Sequence, residues 1–155
     1  MSANITAKLE ELGLSLPSAR APAATYVPFV RSGSLLFVSG QISADADGNL
    51  ITGKLGQDLD VAEGAKAAER CALALLAQVN EACGGDFAGF RRVVKLTGFV
   101  NSTADFTDQP MVINGCSNLL VELLGDAGRH SRSAVSAASL PLGVAVEIEG
   151  IFELA

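Results

Sequence analysis

The sequence predicts an α+β domain, a mixed sheet with its two main helices on one face, and three observations carry that prediction. Strand-like segments come in pairs near both ends of the chain, and helix-period segments flank a single central strand, so the order ββ, α, β, α, ββ does not alternate strictly. The longest helical stripe begins with alanines, Ala65, Ala68 and Ala72, which let a helix lie close on a sheet. Residues 144–149 alternate apolar and polar-side positions with the period of two expected of a half-buried strand.

At 155 residues and 49% hydrophobic, the chain suits one core, so a single domain is expected over residues 1–155, with residues 1–16 as an N-terminal helical extension. Ile5, Leu9 and Leu12 recur at helical spacing until Gly13 stops them. Pro17, Pro22 and Pro28 then mark extended chain, and residues 26–31 and 35–39 predict two strands turned at Ser32-Gly33, with Gly40-Gln41 ending the hairpin. Residues 44–49 are turn-rich, and their acids lead into strand-like residues instead of a helix-flanked calcium loop. Asp60 with Glu63 forms a capping box for the main helix, whose stripe runs through Leu75, Leu76 and Val79 to Gly84-Gly85. Residues 93–100 predict a long strand, Gln109-Pro110 opens a second helix that runs to Leu124, and residues 131–138 and 144–152 predict the last two strands.

Composition narrows the function classes. A net charge of -6, with basic residues scattered except at Arg91-Arg92, leaves no footprint for a phosphate backbone, so no nucleic-acid partner is expected. No run approaches the roughly 18 apolar residues of a membrane span and no secretory leader is visible, so a cytoplasmic protein without a membrane partner is expected, its three cysteines reduced. There is no GxxxxGK[ST] loop for phosphoryl transfer and no GxSxG elbow. His130, the one histidine, reads as an exposed turn residue, and no metal site is expected. Cys116 reads as core filler in mid-helix, without a cationic neighbour.

On the final strand, Val144, Val146 and Ile148 point one way and Ala145, Glu147 and Glu149 the other. Matching Val135 to those valines on the preceding strand puts Arg132 on the face of the glutamates. That face is either solvated, with a surface ion pair, or buried against another subunit, as the small residues Ala134, Ala137, Ala138 and Ala145 suggest. An arginine there offers a planar two-pronged donor to a carboxylate, and a desolvated glutamate can deprotonate water. The pair suits hydrolysis of an imine on an amino-acid skeleton.

From Ala21 onward, the segments Ala21-Pro22-Ala23-Ala24, Val38-Ser39-Gly40-Gln41, Asn114, Arg132-Ser133, Leu140-Pro141 and Glu147-Ile148-Glu149 resemble, in order and spacing, the RidA/YjgF family of reactive-intermediate deaminases, often labelled endoribonuclease L-PSP. The resemblance implies a chorismate-mutase-like fold assembled as a homotrimer with sheets packed inward as a barrel. It implies that Arg132 binds the carboxylate of a 2-aminoacrylate-like imino acid, that Glu147 handles water, and that Phe29, Gln41, Asn114 and Ala134 touch the substrate. It implies release of ammonia and a 2-keto acid without a cofactor. Phe29 stands where family deaminases commonly carry tyrosine, and Ala134 where they carry cysteine. With an insertion near Gln109-Pro110-Met111 and the N-terminal helix, these departures mark a divergent subgroup. A non-catalytic binding trimer is the alternative. The ribonuclease label fits poorly with an acidic chain that has one tyrosine and no tryptophan.

Overall fold

The computed structural model describes residues 2–21 and 24–155; Met1, and Pro22 and Ala23 of the N-terminal motif, lie outside the described residues. In chain order the elements are α1 (Ser2–Glu11), β1 (Phe29–Ser32), β2 (Leu35–Ile42), α2 (Val61–Ala82), β3 (Phe90–Asn101), α3 (Gln109–Leu124), β4 (Ser131–Ala137) and β5 (Val146–Leu154). The strands form one mixed sheet in the order β1-β2-β5-β3-β4, antiparallel except for the β3–β4 pair. The predicted α+β class holds, with α2 and α3 packed against the sheet and against each other.

The capping box forms as predicted. The Glu63 amide donates to Asp60 Oδ1 over 2.8 Å, and the Asp60 amide donates to Glu63 Oε2 over 2.8 Å, so both carboxylates also face the positive end of α2. Leu75, Leu76 and Val79 of α2 and Ile113 and Leu120 of α3 are fully buried with Leu36, Leu96, Ile148 and Phe152 of the sheet. Ile5 and Leu9 of α1 join this core. Two close approaches seat α3. A Cβ at Gly115 would run into the Ala65 carbonyl oxygen of α2, and one at Gly98 of β3 would lie 2.6 Å from Ile113 Cδ1.

Three expectations are corrected. The hairpin pairing does stop before Gly40-Gln41, at Val38, but the strand does not: β2 runs on to Ile42 past an irregularity between Val38 and Gln41. The last two strands are not neighbours, because β4 lies at the sheet edge and β3 separates it from β5. This follows from the β3–α3–β4 path, a helical crossover that joins parallel strands. Arg132 also does not share the glutamates' face. The register Leu96↔Arg132 and Phe99↔Val135 puts Arg132 and Ala134 on the helix side, and Val135 on the open side with Phe99 and Glu147.

The register failed because both sheet faces are apolar, so a valine does not mark the helix-covered one. The open face carries Phe37, Phe99, Val135 and Ile151, with Phe37 42% and Val135 44% exposed. Of the alanines expected to form it, Ala145 is fully buried ahead of β5 and Ala134 packs on the core from the helix side, while Ala137 alternates with Val135 onto the open face.

Gly115→Ala is expected to destabilise the protein by roughly 1–3 kcal/mol, because the added methyl has to push α2 and α3 apart. Chemical denaturation of the variant beside wild type measures this, and an unchanged midpoint contradicts the close packing.

Candidate functional site

The predicted site residues fall into two groups on different parts of the sheet. The first surrounds Glu147 on β5, where a cleft of about 740 Å³ opens beside the end of β2. Ser39, Gly40, Gln41, Arg70, Tyr26 and Glu147 are among its lining residues. The cleft lies where β1 has ended: β1 pairs β2 only from Leu35 to Val38, so Gly40 to Ile42 of β2 have no strand partner on that side.

Glu147 faces the open side of the sheet, paired with Ile42 and Phe99, and is half-buried. Burial pushes its carboxyl above the ordinary glutamate range, and the like charge of Glu149 adds to the rise. Its position depends on a glycine: a Cβ at Gly40 would lie 2.8 Å from Glu147 Oε1. Gln41 is buried, with Nε2 donating to the Ser39 carbonyl over 2.9 Å, so it stiffens the cleft wall. Phe29 packs against the core beside Val38, and its neighbours Pro28 and Tyr26 line the cleft instead. Leu142, 74% exposed at the cleft's rim, has a left-handed backbone at φ 60°.

The second group lies at the β4 edge. Arg132 is half-buried; Nη1 donates to Ser117 Oγ over 3.0 Å and Nη2 to the Pro110 carbonyl over 3.1 Å. Asn114 lies between these anchor points on the same helical face, and Ala134 is the next residue toward the helices along β4. Among the described residues no carboxylate lies within ion-pair distance of Arg132; the one ion pair there joins Arg129 and Asp126. The guanidinium therefore keeps its charge and spare N–H groups for an outside acceptor.

Sequence reasoning missed two neighbours of Arg132. Ser117 carried no signal beyond its place on α3. His130, expected exposed, is half-buried with Nε2 2.9 Å from Ser117 Oγ. A histidine two residues before the arginine on a strand shares its face, and that spacing was the available clue. Cys116 is core, as expected, though Arg132 lies near enough to oppose slightly the burial that pushes its thiol up to about 12. Such a thiol is inert. Among the described residues no three His, Cys, Asp or Glu side chains converge as a metal would require, and no helix is long and apolar enough to cross a membrane.

Comparison with known proteins agrees with this architecture. The family model described as "YjgF/chorismate mutase-like, putative endoribonuclease" matches residues 6–153. Protein TCP17 of Trypanosoma cruzi is 47% identical over 154 residues, which is 99% of this chain and 96% of that protein. The crystal structure of Atu1372 from Agrobacterium tumefaciens, described as of unknown function, is 49% identical with a TM-score of 0.92, over 99% of this chain and 94% of that one. E. coli TdcF with bound serine is 28% identical with a TM-score of 0.59, over 88% of this chain and 94% of that one. The lower score at similar coverage marks a divergent branch, and the match along nearly the whole chain places this protein in the YjgF/L-PSP family of chorismate-mutase-like fold.

Proposed function

We propose that this protein hydrolyses reactive 2-imino acids to 2-keto acids and ammonia in a site built by two copies of the chain. The observation that carries the reading is Glu147, a half-buried carboxylate of raised pKa held against Gly40 at a cleft large enough for a small acid. Arg132 supplies the complementary charge, but within one chain it lies on the opposite sheet face with β3 between its strand and that of Glu147. The reading therefore takes Arg132 from the β4 edge of a second copy settled on the apolar open face, and a homotrimer is part of the proposal.

In this site the substrate carboxylate takes the spare N–H groups of Arg132. Glu147 accepts a proton from water as its oxygen bonds to the imine carbon, and the C=N electron pair moves to nitrogen. That proton passes to the nitrogen to give an amino alcohol; Glu147 then takes the proton of the new hydroxyl and hands it to the nitrogen as the C–N bond breaks, so ammonia leaves and the keto group forms. Every atom comes from substrate and water, so the step draws on no redox partner. A second reading, a non-catalytic small-molecule-binding trimer, is favoured by the serine bound to the related TdcF. RNA cleavage has less support, since the chain carries a net charge of -6 and its one tyrosine, Tyr26, lies in the acid-bearing cleft.

Keto-acid release from enzymatically generated 2-iminopropanoate tests the reading. Arg132→Ala should lower kcat/KM by roughly a hundredfold or more while the oligomer survives. Carboxylate ligands that bind at Arg132 without any turnover would leave the binding trimer as the better description. Because Glu147 must be ionised to take the proton, the rate should fall as pH drops through its raised pKa. Glu149→Gln removes the like charge and should move that acid limb to lower pH. Val135→Glu puts a charge on the open face and should shift sedimentation from trimer to monomer with the helix content kept.

A further inference from the structure

With His130 neutral, the hydrogen bonds around Arg132 set the proton positions in a short relay. His130 Nδ1 lies 2.6 Å from the Gly128 carbonyl oxygen, and a carbonyl only accepts, so the ring carries its hydrogen on Nδ1. Nε2 then presents a lone pair and accepts the Ser117 hydroxyl hydrogen over 2.9 Å. With its hydrogen committed, Ser117 Oγ turns its lone pairs toward Arg132, whose Nη1 donates over 3.0 Å. The second prong, Nη2, is fixed by Pro110 two turns earlier on α3.

We propose that Ser117 and His130 are positioning residues for Arg132: neutral His130 orients the Ser117 hydroxyl, and that hydroxyl sets the plane in which the guanidinium meets a substrate carboxylate. The inference rests on the carboxylate-binding role given to Arg132 above and adds what holds that residue in place. A nucleophilic role for Ser117 fits less well, since its lone pairs already face a guanidinium that holds them down in basicity.

The relay works in one protonation state. A second proton on His130 turns Nε2 into a donor, so Ser117 Oγ faces donors from both sides and an imidazolium approaches the guanidinium. The surroundings favour the neutral ring. Burial lowers its pKa, the Gly128 carbonyl opposes that, and Arg132 acts with the burial. Arg92, Arg129 and Glu153 line the shallow recess that His130 borders, and Asp126 is 3.4 Å from Arg129, so cations predominate around the ring.

The test combines kinetics on 2-iminopropanoate with nitrogen-15 NMR of the one histidine in the chain. Ser117→Ala should raise KM about tenfold with kcat changed less than about twofold, and Ser117→Thr, which keeps the hydroxyl, should restore KM. Wild-type KM should rise as the pH falls below the ordinary histidine range of about 6.5, because the pKa of His130 is lowered, and His130→Gln, which cannot titrate, should abolish that rise. The His130 signal should report the Nδ1–H tautomer and should move on addition of pyruvate in wild type but not in Arg132→Ala. An unchanged KM in Ser117→Ala, or kcat and KM lost together with a lowered melting temperature, overturns the positioning role. If wild type turns over no imine yet pyruvate still moves the His130 signal, deamination fails and the relay stands. If turnover is normal and neither KM nor the signal responds, the relay fails and deamination stands.

Discussion

The seating of α3 is the contact on which the rest of the molecule depends. It lies close against α2 where Gly115 meets Ala65 and close against β3 where Gly98 meets Ile113. Larger side chains at either place would lift the helix by the width of a methyl group or more, and packed interiors absorb such shifts poorly. The depth of α3 decides where Pro110 and Ser117 lie, and these two positions hold the guanidinium of Arg132. The same helix is the crossover that sends β4 to the sheet edge, so one element sets both the strand's place and the direction of its arginine.

The two faces of the sheet carry different burdens. One is sealed by helices and supplies most of the buried core; the other presents Phe37, Phe99, Val135 and Ile151 beside Glu147 and Glu149. A carboxylate among such residues loses hydration, which raises its pKa and makes it a better proton acceptor near neutrality. Arg132 is kept apart from that carboxylate within one chain. Had they met, each would neutralise the other and neither would be left for a ligand.

Much of this was legible in the sequence, and the failures have physical causes. The helix from Asp60 and the helix from Gln109 to Leu124 were readable because caps, a proline at the start and glycines at the end are local signals. Strand partners are not local: nothing near residues 131–137 says that they pair with residues 95–101 and not with the strand that follows. The alternation on β4 was read correctly but assigned to the wrong side, since the rule that valine points inward presumes a single buried face. Glu147 and Arg132 were found as residues, and their separation required the topology. The ring of His130 was misplaced because a turn composition of Gly128-Arg129 suggests solvent, whereas α3 covers it.

Leu142 gives the cleft a conformational cost of its own. A leucine held in the left-handed region is strained by about 1–2 kcal/mol relative to ordinary backbone, and a glycine or asparagine would sit there with less penalty. Its side chain, 74% exposed, gains nothing from the core in return. The rim beside Glu147 is therefore a place where the native conformation is disfavoured by its own local sequence, so on heating the mouth of the cleft should loosen before the sheet beneath it gives way.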